Sequence, residues 1–369
     1  MDKKILINLL IMIISKERII LMELLNKEYS YHDLRRHFGS LEQIAGIRNY
    51  KFESGRAKNL SVAEFRSGNG LRFEVLKDRG LDIGLCEYKG IPISFRSSVG
   101  ESMPYFFEPE GDEWFRNFSG GLLTTCGLTY LGAPSKEKDK NLGLHGRISN
   151  IPAEEVFTFK EKKDNDYVLK LKGKVREAKV TSTNLVLSRE ISLDVGSNTI
   201  KINDKITNEG FKKSPLMILY HINAGHPLLS KETKLFSDSI NIKPRDDIAK
   251  KYINNYSNYE DPLQDYPDVV FYHNLKANEN GYCEVELVNK QIKLALNLKY
   301  KKENLPNFVQ WKYLQEGTYV TALEPSNCKV EGRKNARENN ELEFIEPGET
   351  KSYSLEISII DNMKSRKGV

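Results

Sequence analysis

Four polar islands in a strand-rich chain carry the residue types that move protons on and off a sugar: Asp78-Arg79-Gly80, Leu144-His145-Gly146-Arg147, Tyr220-His221-Ile222-Asn223 and Leu323-Glu324-Pro325. Two histidines, a carboxylate and arginines are the parts of a site where one group takes a proton while another gives one. Glu324 closes the apolar run Tyr319-Val320-Thr321-Ala322-Leu323 and precedes a proline. A carboxylate in that place is costly if unpaired, so it either meets a cation or serves as a base in a pocket. His221 ends the run Pro215-Leu216-Met217-Ile218-Leu219-Tyr220, where an ionisable ring must find a partner or a function. His145 sits in Gly143-Leu144-His145-Gly146-Arg147, where glycines let the backbone bend and leave the ring reachable. Arg79 and Arg147 are candidate donors to sugar hydroxyls, with a salt bridge as the alternative for each and Asp82 a ready partner for Arg79. Trp311 is placed either to stack on a sugar face or to fill core. His226, five residues beyond His221, falls on the opposite strand parity unless the chain bends.

Rigid elements must bring these islands together. Apolar residues alternate with period two at Leu71, Phe73 and Val75, at Leu81, Ile83 and Leu85, and at Ile91, Ile93 and Phe95. The alternation returns at Tyr167, Leu169 and Leu171, at Ile191, Leu193 and Val195, at Ile292, Leu294, Leu296 and Leu298, and at Tyr353, Leu355, Ile357 and Ile359. Turn signals such as Val195-Gly196-Ser197-Asn198 separate these runs. No helix-period segment is long enough for a βαβ crossover, so the pattern predicts an all-β fold, a large antiparallel sandwich. Before it, Ser30 can cap a short helix with Tyr31, Leu34 and Phe38 on one face, followed by a helical turn over 41–45. Residues 101–117, aromatic and loop-like, and 245–268, polar and tyrosine-rich, read as functional loops over a cleft.

The chain has 369 residues, enough for one large β domain and a small N-terminal piece. We divide it into an extension with a short helix (1–39), the sandwich (40–361) and a tail (362–369). Lysine and arginine number 56 against 51 aspartates and glutamates, and the two signs are interleaved, which argues against a nucleic-acid surface. Cys86, Cys126, Cys283 and Cys328 are scattered without a C-x-x-C pair, as in a reduced cytoplasmic protein, and Cys126 reads as a small buried hydrophobe. The apolar run 5–14 follows two lysines but lacks a cleavage site and is too short to span a bilayer. Met22 reads as the natural start and 1–21 as an upstream extension, the alternative being a short membrane-associating or core-covering helix.

The order of these motifs resembles aldose 1-epimerase of the galactose mutarotase type. More closely, Asp78-Arg79-Gly80-Leu81-Asp82, Gly143-Leu144-His145-Gly146-Arg147, His221-Ile222-Asn223-Ala224-Gly225-His226-Pro227 and Glu324-Pro325-Ser326-Asn327 are similar to a bacterial branch of that superfamily. The resemblance covers roughly 40–360 and implies the β-supersandwich fold. It also implies interconversion of α and β anomers by ring opening. In that reading Glu324 is the general base, His221 the general acid, and His145 the second histidine that polarises the ring oxygen. Arg79 matches a sugar-binding arginine, and Arg147, Asn223, His226, Tyr272 and Trp311 complete the expected substrate-binding set.

The departures bear on the substrate. Galactose mutarotases carry an Asp-His-Asn triplet whose aspartate holds sugar hydroxyls, whereas this chain reads Tyr272-His273-Asn274, so recognition of galactose or glucose does not carry over. A deoxysugar, a pentose, a phosphorylated sugar and a uronic acid all stay open, with Arg147 and Lys312 giving weight to an anion. The expected partner is a small-molecule sugar, without cofactor, metal, nucleic acid or membrane, and a homodimer is compatible. A metal-dependent isomerase using His145, His221, His226 and Glu324 is one alternative, and a non-catalytic carbohydrate-binding protein another. A glycoside hydrolase would require a second carboxylate as well placed as Glu324.

Overall fold

The structure is a computed structural model that describes residues 22–361 apart from 25–26, 30 and 164–165. The apolar N-terminal run, the cap at Ser30 and the tail 362–369 lie outside the described residues. Every ladder between strands is antiparallel. One sheet has eleven strands, in the order Ser239–Pro244, Val269–Leu275, Asn307–Gln315, Thr318–Ser326, Met217–Gly225, Leu123–Leu128, Asp82–Tyr88, Leu71–Leu76, Ser61–Arg66 and Gly46–Lys51, with Ile91–Pro92 joined to Asp82–Tyr88 off this path. The other has eight, in the order Glu154–Lys163, Asp166–Ala178, Asn184–Asp194, Thr199–Asn208, Thr350–Asp361, Leu294–Lys301, Tyr282–Asn289 and Thr233–Ser237. The two sheets close on one core, in which Phe73, Ile83 and Ile222 from the first meet Leu171, Leu187 and Ile357 from the second. This is the large antiparallel sandwich that the alternation predicts.

The two sheets differ in what covers them. The eight-stranded sheet keeps the expected alternation: Thr199–Asn208 buries Ile200, Ile202 and Ile206 while Asn203 and Lys205 face water. Met217–Gly225 in the larger sheet is buried at all nine positions. Its inner face, with Ile218, Tyr220 and Ile222, joins the main core, while Met217 and Leu219 on its outer face join a second apolar cluster with Phe95, Trp114 and Phe118. That outer face is roofed by loops, and only there can a strand carry polar groups that are dry yet reachable.

Local departures from strict alternation have identifiable causes. A register shift between Phe73 and Val75 places a bulge in the facing strand, so Cys86 and Tyr88 take the core positions after Ile83 and Leu85 turns partly outward. Past Ile91–Pro92 the run expected through Phe95 breaks, and Phe95–Arg96 pairs with Gly120–Gly121 instead. An added Cβ on Gly121 would lie 2.5 Å from the Ile83 carbonyl oxygen, so this crossing admits glycine alone. The helix Tyr31–His37 packs Leu34 into the main core, and the turn after it is a 3-10 helix over Leu41–Gln43. Cys126 is fully buried.

Candidate functional site

Strand parity and register assemble the centre of the site. The pairing of Leu219 with Ser326 and of Ile222 with Leu323 sets His221 opposite Glu324 on adjacent strands. Val309 pairs with Glu324, and Tyr272 with Val309, so Tyr272, Val309, Glu324 and His221 form one cross-strand row on the outer face. Glu324 Oε1 lies 3.1 Å from His221 Nε2, and both side chains are buried.

Asn223 determines which nitrogen of His221 is free. Its Nδ2 donates to the carbonyls of Gly121 and His221, both at 3.1 Å, so Oδ1 must face the ring, where it lies 2.6 Å from Nδ1. The neutral imidazole therefore carries its proton on Nδ1 and leaves the Nε2 lone pair beside Glu324. Asn223 is itself fully buried and is absent from the wall of the cavity that His221 and Glu324 line, so it is a positioning residue and not the substrate-binding one expected.

His145 comes from a loop. It has φ 55°, its N–H donates to the Gly132 carbonyl and its carbonyl accepts from Gly127. Gly146 follows with φ 81°, and a Cβ there would lie 2.3 Å from the carbonyl oxygens of Gly127 and Tyr130. The glycine is thus what lets the turn press against the sheet. The ring stands edge-on to His221 at 5.8 Å and packs on Trp114 at 4.8 Å, and its buried Nδ1 has no hydrogen-bond partner.

These three groups open into a cavity of about 570 Å³. Phe95, Phe115, Phe118, Trp311 and Tyr313 supply aromatic walls, and Val99, Leu144, Val270, Val309 and Val330 aliphatic ones. Desolvation dominates the electrostatics. Burial, reinforced by Asp268 and opposed by Arg245, raises the Glu324 carboxyl well above its usual range. Burial also lowers His145 to about 4, and lowers His221 to about 3 with His145 adding to the effect and the bond to Asn223 opposing it. Burial thus favours the neutral form of both members of the pair.

Other expected residues lie elsewhere. Arg79 is buried and donates to the carbonyls of Ser149, Ser102 and Asn117 at 2.7–2.8 Å, so it ties three loops together and does not reach the cavity. Nor does it pair with Asp82, which accepts from Thr125 and Arg189. Arg147 is exposed in a different concavity with Tyr130 and Arg333, because the backbone turns between it and His145. His226 is exposed past the end of its strand. Tyr272 shares the row of Glu324 but spends its hydroxyl on Glu331 at 2.6 Å. Trp311 does line the cavity, 5.4 Å from the His221 ring, with its N–H on Asp268 at 2.6 Å. Lys312, one residue on, faces inward and donates to the carbonyls of Asn255 and Asn258, which excludes it from holding a substrate anion. Among the described residues no group of three or more His, Cys, Asp or Glu side chains is placed to hold a metal ion.

Sequence reasoning missed Arg245 and Asp268, which line the cavity as a pair at 2.7 Å. They are the two ends of the loop expected over the cleft. Its middle instead fills the inner side, where Tyr256 packs on Phe271 and His273 and Lys312 holds the backbone. The 101–117 loop contributes Phe115, which is 49 % exposed at the rim.

Residues 57–359 match the family model described as "Domain of unknown function (DUF4432)". No curated protein matches the chain in sequence. Among solved structures, the chain is similar to a candidate aldose 1-epimerase from Klebsiella pneumoniae, with 23% identity, TM-score 0.81, and 86% of this chain and 83% of that one covered. It is also similar to a galactose mutarotase-like protein from Clostridium acetobutylicum, at 15% identity and TM-score 0.58 over 87% and 100% of the two chains. The galactose 1-epimerase from Lactobacillus acidophilus aligns at 14% identity and TM-score 0.55 over 86% and 99%. At these identities the likeness is one of fold.

Proposed function

We propose that this chain, which belongs to the DUF4432 family, is an aldose 1-epimerase that interconverts the anomers of a sugar by acid–base ring opening. The observation that carries the reading is the juxtaposition of Glu324 and His221 at 3.1 Å, dry, on neighbouring strands and at the floor of a sugar-sized cavity. O1 and O5 of a pyranose are both bonded to C1, so a base and an acid standing side by side reach both.

A proton shared between Glu324 and Nε2 of His221 moves to Nε2. This gives carboxylate and imidazolium without changing the net charge of the site. The carboxylate takes the proton of the C1 hydroxyl, the C1–O5 bond breaks, and Nε2 gives its proton to O5, leaving an open-chain aldehyde. Rotation about C1–C2 presents the other face. O5 then returns its proton to His221 and attacks C1, and Glu324 returns its proton to O1, so the pair is again carboxylate and imidazolium, ready for the next turnover. A carboxylate whose pKa is raised by burial is the stronger base once ionised. To His145, which lines the same cavity edge-on to His221, we assign the polarising contact to the ring oxygen. Asn223 keeps Nε2 as the reactive nitrogen.

Saturation-transfer NMR between α and β anomers tests the reading on Glu324→Gln. We expect exchange to fall by about 10²–10⁴-fold with sugar binding and melting temperature retained. Full activity in that variant would remove the mechanism.

A further inference from the structure

The cavity's unspent hydrogen-bonding capacity says what kind of sugar it takes, an inference that rests on the epimerase reading. Polar side chains in its wall are mostly committed to the protein. Ser97 Oγ donates to the Phe118 carbonyl at 2.6 Å and accepts from the Val99 N–H at 3.2 Å. The Tyr313 hydroxyl donates to Gln315 at 2.7 Å. Asp268 receives the Trp311 N–H on one oxygen and Arg245 on the other. Arg245 in turn gives Nε to Asp246 at 2.8 Å and Nη2 to Asp268 at 2.7 Å, which leaves Nη1.

Apart from the three catalytic side chains, which are needed at O1 and O5, the side-chain polar atoms of the described lining residues that make no hydrogen bond are Nη1 of Arg245 and the hydroxyls of Ser98 and Thr318, beside the spare lone pairs of Asp268 and Tyr313. A fully hydroxylated hexose brings four more hydroxyls, each a donor and an acceptor, against a wall of aromatic and valine side chains. A hydroxyl buried without a partner costs its lost hydration, whereas a methyl group on the same wall gains from leaving water. Charge points the same way. Among the described residues the one cation lining the cavity, Arg245, is already shared by Asp246 and Asp268, so a uronate or a phosphate would meet Asp268 with no free counter-charge.

We infer that the substrate is a neutral deoxysugar, a pyranose carrying a methyl or methylene group where common hexoses carry a hydroxyl, with that group against the apolar wall. One hydroxyl of difference in such a pocket corresponds to about 10- to 100-fold in kcat/KM.

The experiment uses the intact protein and matched pairs: D-fucose with D-galactose, 6-deoxy-D-glucose with D-glucose, and L-rhamnose with L-mannose, alongside D-glucuronate and D-glucose 6-phosphate. Anomer exchange is read by saturation transfer and affinity by ligand-observed NMR titration. The expected result is a deoxysugar preferred over its parent by about 10- to 100-fold in both readouts, with the two acids weakest. Parents that match or exceed their deoxy partners in every pair, an acid that binds best, or no binding by any sugar would each overturn the substrate class. Exchange without preference would overturn the class and leave the epimerase reading standing. Selective deoxysugar binding without exchange would do the reverse.

Discussion

Tyr220 and His221 are neighbours in one strand and belong to two polar networks on opposite faces of the same sheet. On the inner face, Arg189 donates to Asp204 at 2.7 and 3.0 Å, to Asp82 at 3.2 Å and to Thr125 at 3.0 Å, while the Tyr220 hydroxyl donates to Asp204 at 2.8 Å. Asp82 also accepts from the Thr125 N–H and hydroxyl. Its carboxyl is pushed up to about 6 by burial, against the pull of Arg189, and so is still ionised at pH 7. On the outer face, Glu324 has His221 beside one oxygen, and His145 keeps a buried nitrogen without a partner. Burial and charge are common to both networks. What separates them is that the inner one is closed by hydrogen bonds among its own members, whereas the outer one keeps an unpartnered nitrogen and its three side chains line a cavity.

Glu324→Gln and Arg189→Met break this comparison from its two sides. On the proposed function, the first should lower anomer exchange by about 10²–10⁴-fold in saturation-transfer NMR and leave the fold. Arg189→Met strands two buried carboxylates and should cost about 3–5 kcal/mol of stability in a denaturant titration, with kcat/KM unchanged for the protein that stays folded. Loss of activity without loss of stability in that variant would place Arg189 in the site. Asn223→Leu sharpens the comparison, because it frees the His221 tautomer. Exchange should drop roughly tenfold and the ¹⁵N shifts of the His221 ring should move, a signature that a merely structural side chain would not produce.

The smallest effect is in the pH dependence of stability. His145 is lowered to about 4 from a usual value of 6.5, so between these values the unfolded chain binds a proton that the folded one refuses. Stability from this group is complete above 6.5 and is lost as pH falls toward 4. Glu324 and Asp82 are raised and act with the opposite sign, so the measurement is a difference between proteins. Relative to His145→Gln, the wild type should lose about 1–3 kcal/mol between pH 7 and pH 4, the half-buried ring holding the figure below the full linkage value. Parallel stability curves for the two proteins would show that His145 is not held neutral by the fold.

Much of the site was legible because it obeys strand parity. His221 and Glu324 end apolar runs, so any antiparallel arrangement that buries those runs brings two ionisable groups to one sheet, and Trp311 falls on the same face two residues after Val309. Lys312 and Trp311 look equally available in sequence, yet a period of two sends them to opposite faces. Arg79 illustrates the limit. Its motif matches a sugar-binding arginine, but three carbonyls from loops distant in sequence converge on its guanidinium, and nothing local announces them.

Residue types and their spacing determined, without any coordinates, that this chain forms an all-β antiparallel sandwich and that two histidines and a glutamate are its acid–base candidates. The tertiary structure alone decided which polar groups are spent. It assigned Asn223 to the ring of His221, Tyr272 to Glu331, and Arg245 to Asp246 and Asp268, and it turned Leu85 outward at a bulge. The physical reason is that periodicity is a local property of the backbone, repeated every two residues, whereas a hydrogen bond depends on which distant segment arrives within about 3 Å. That distance is set by the packing of the whole molecule.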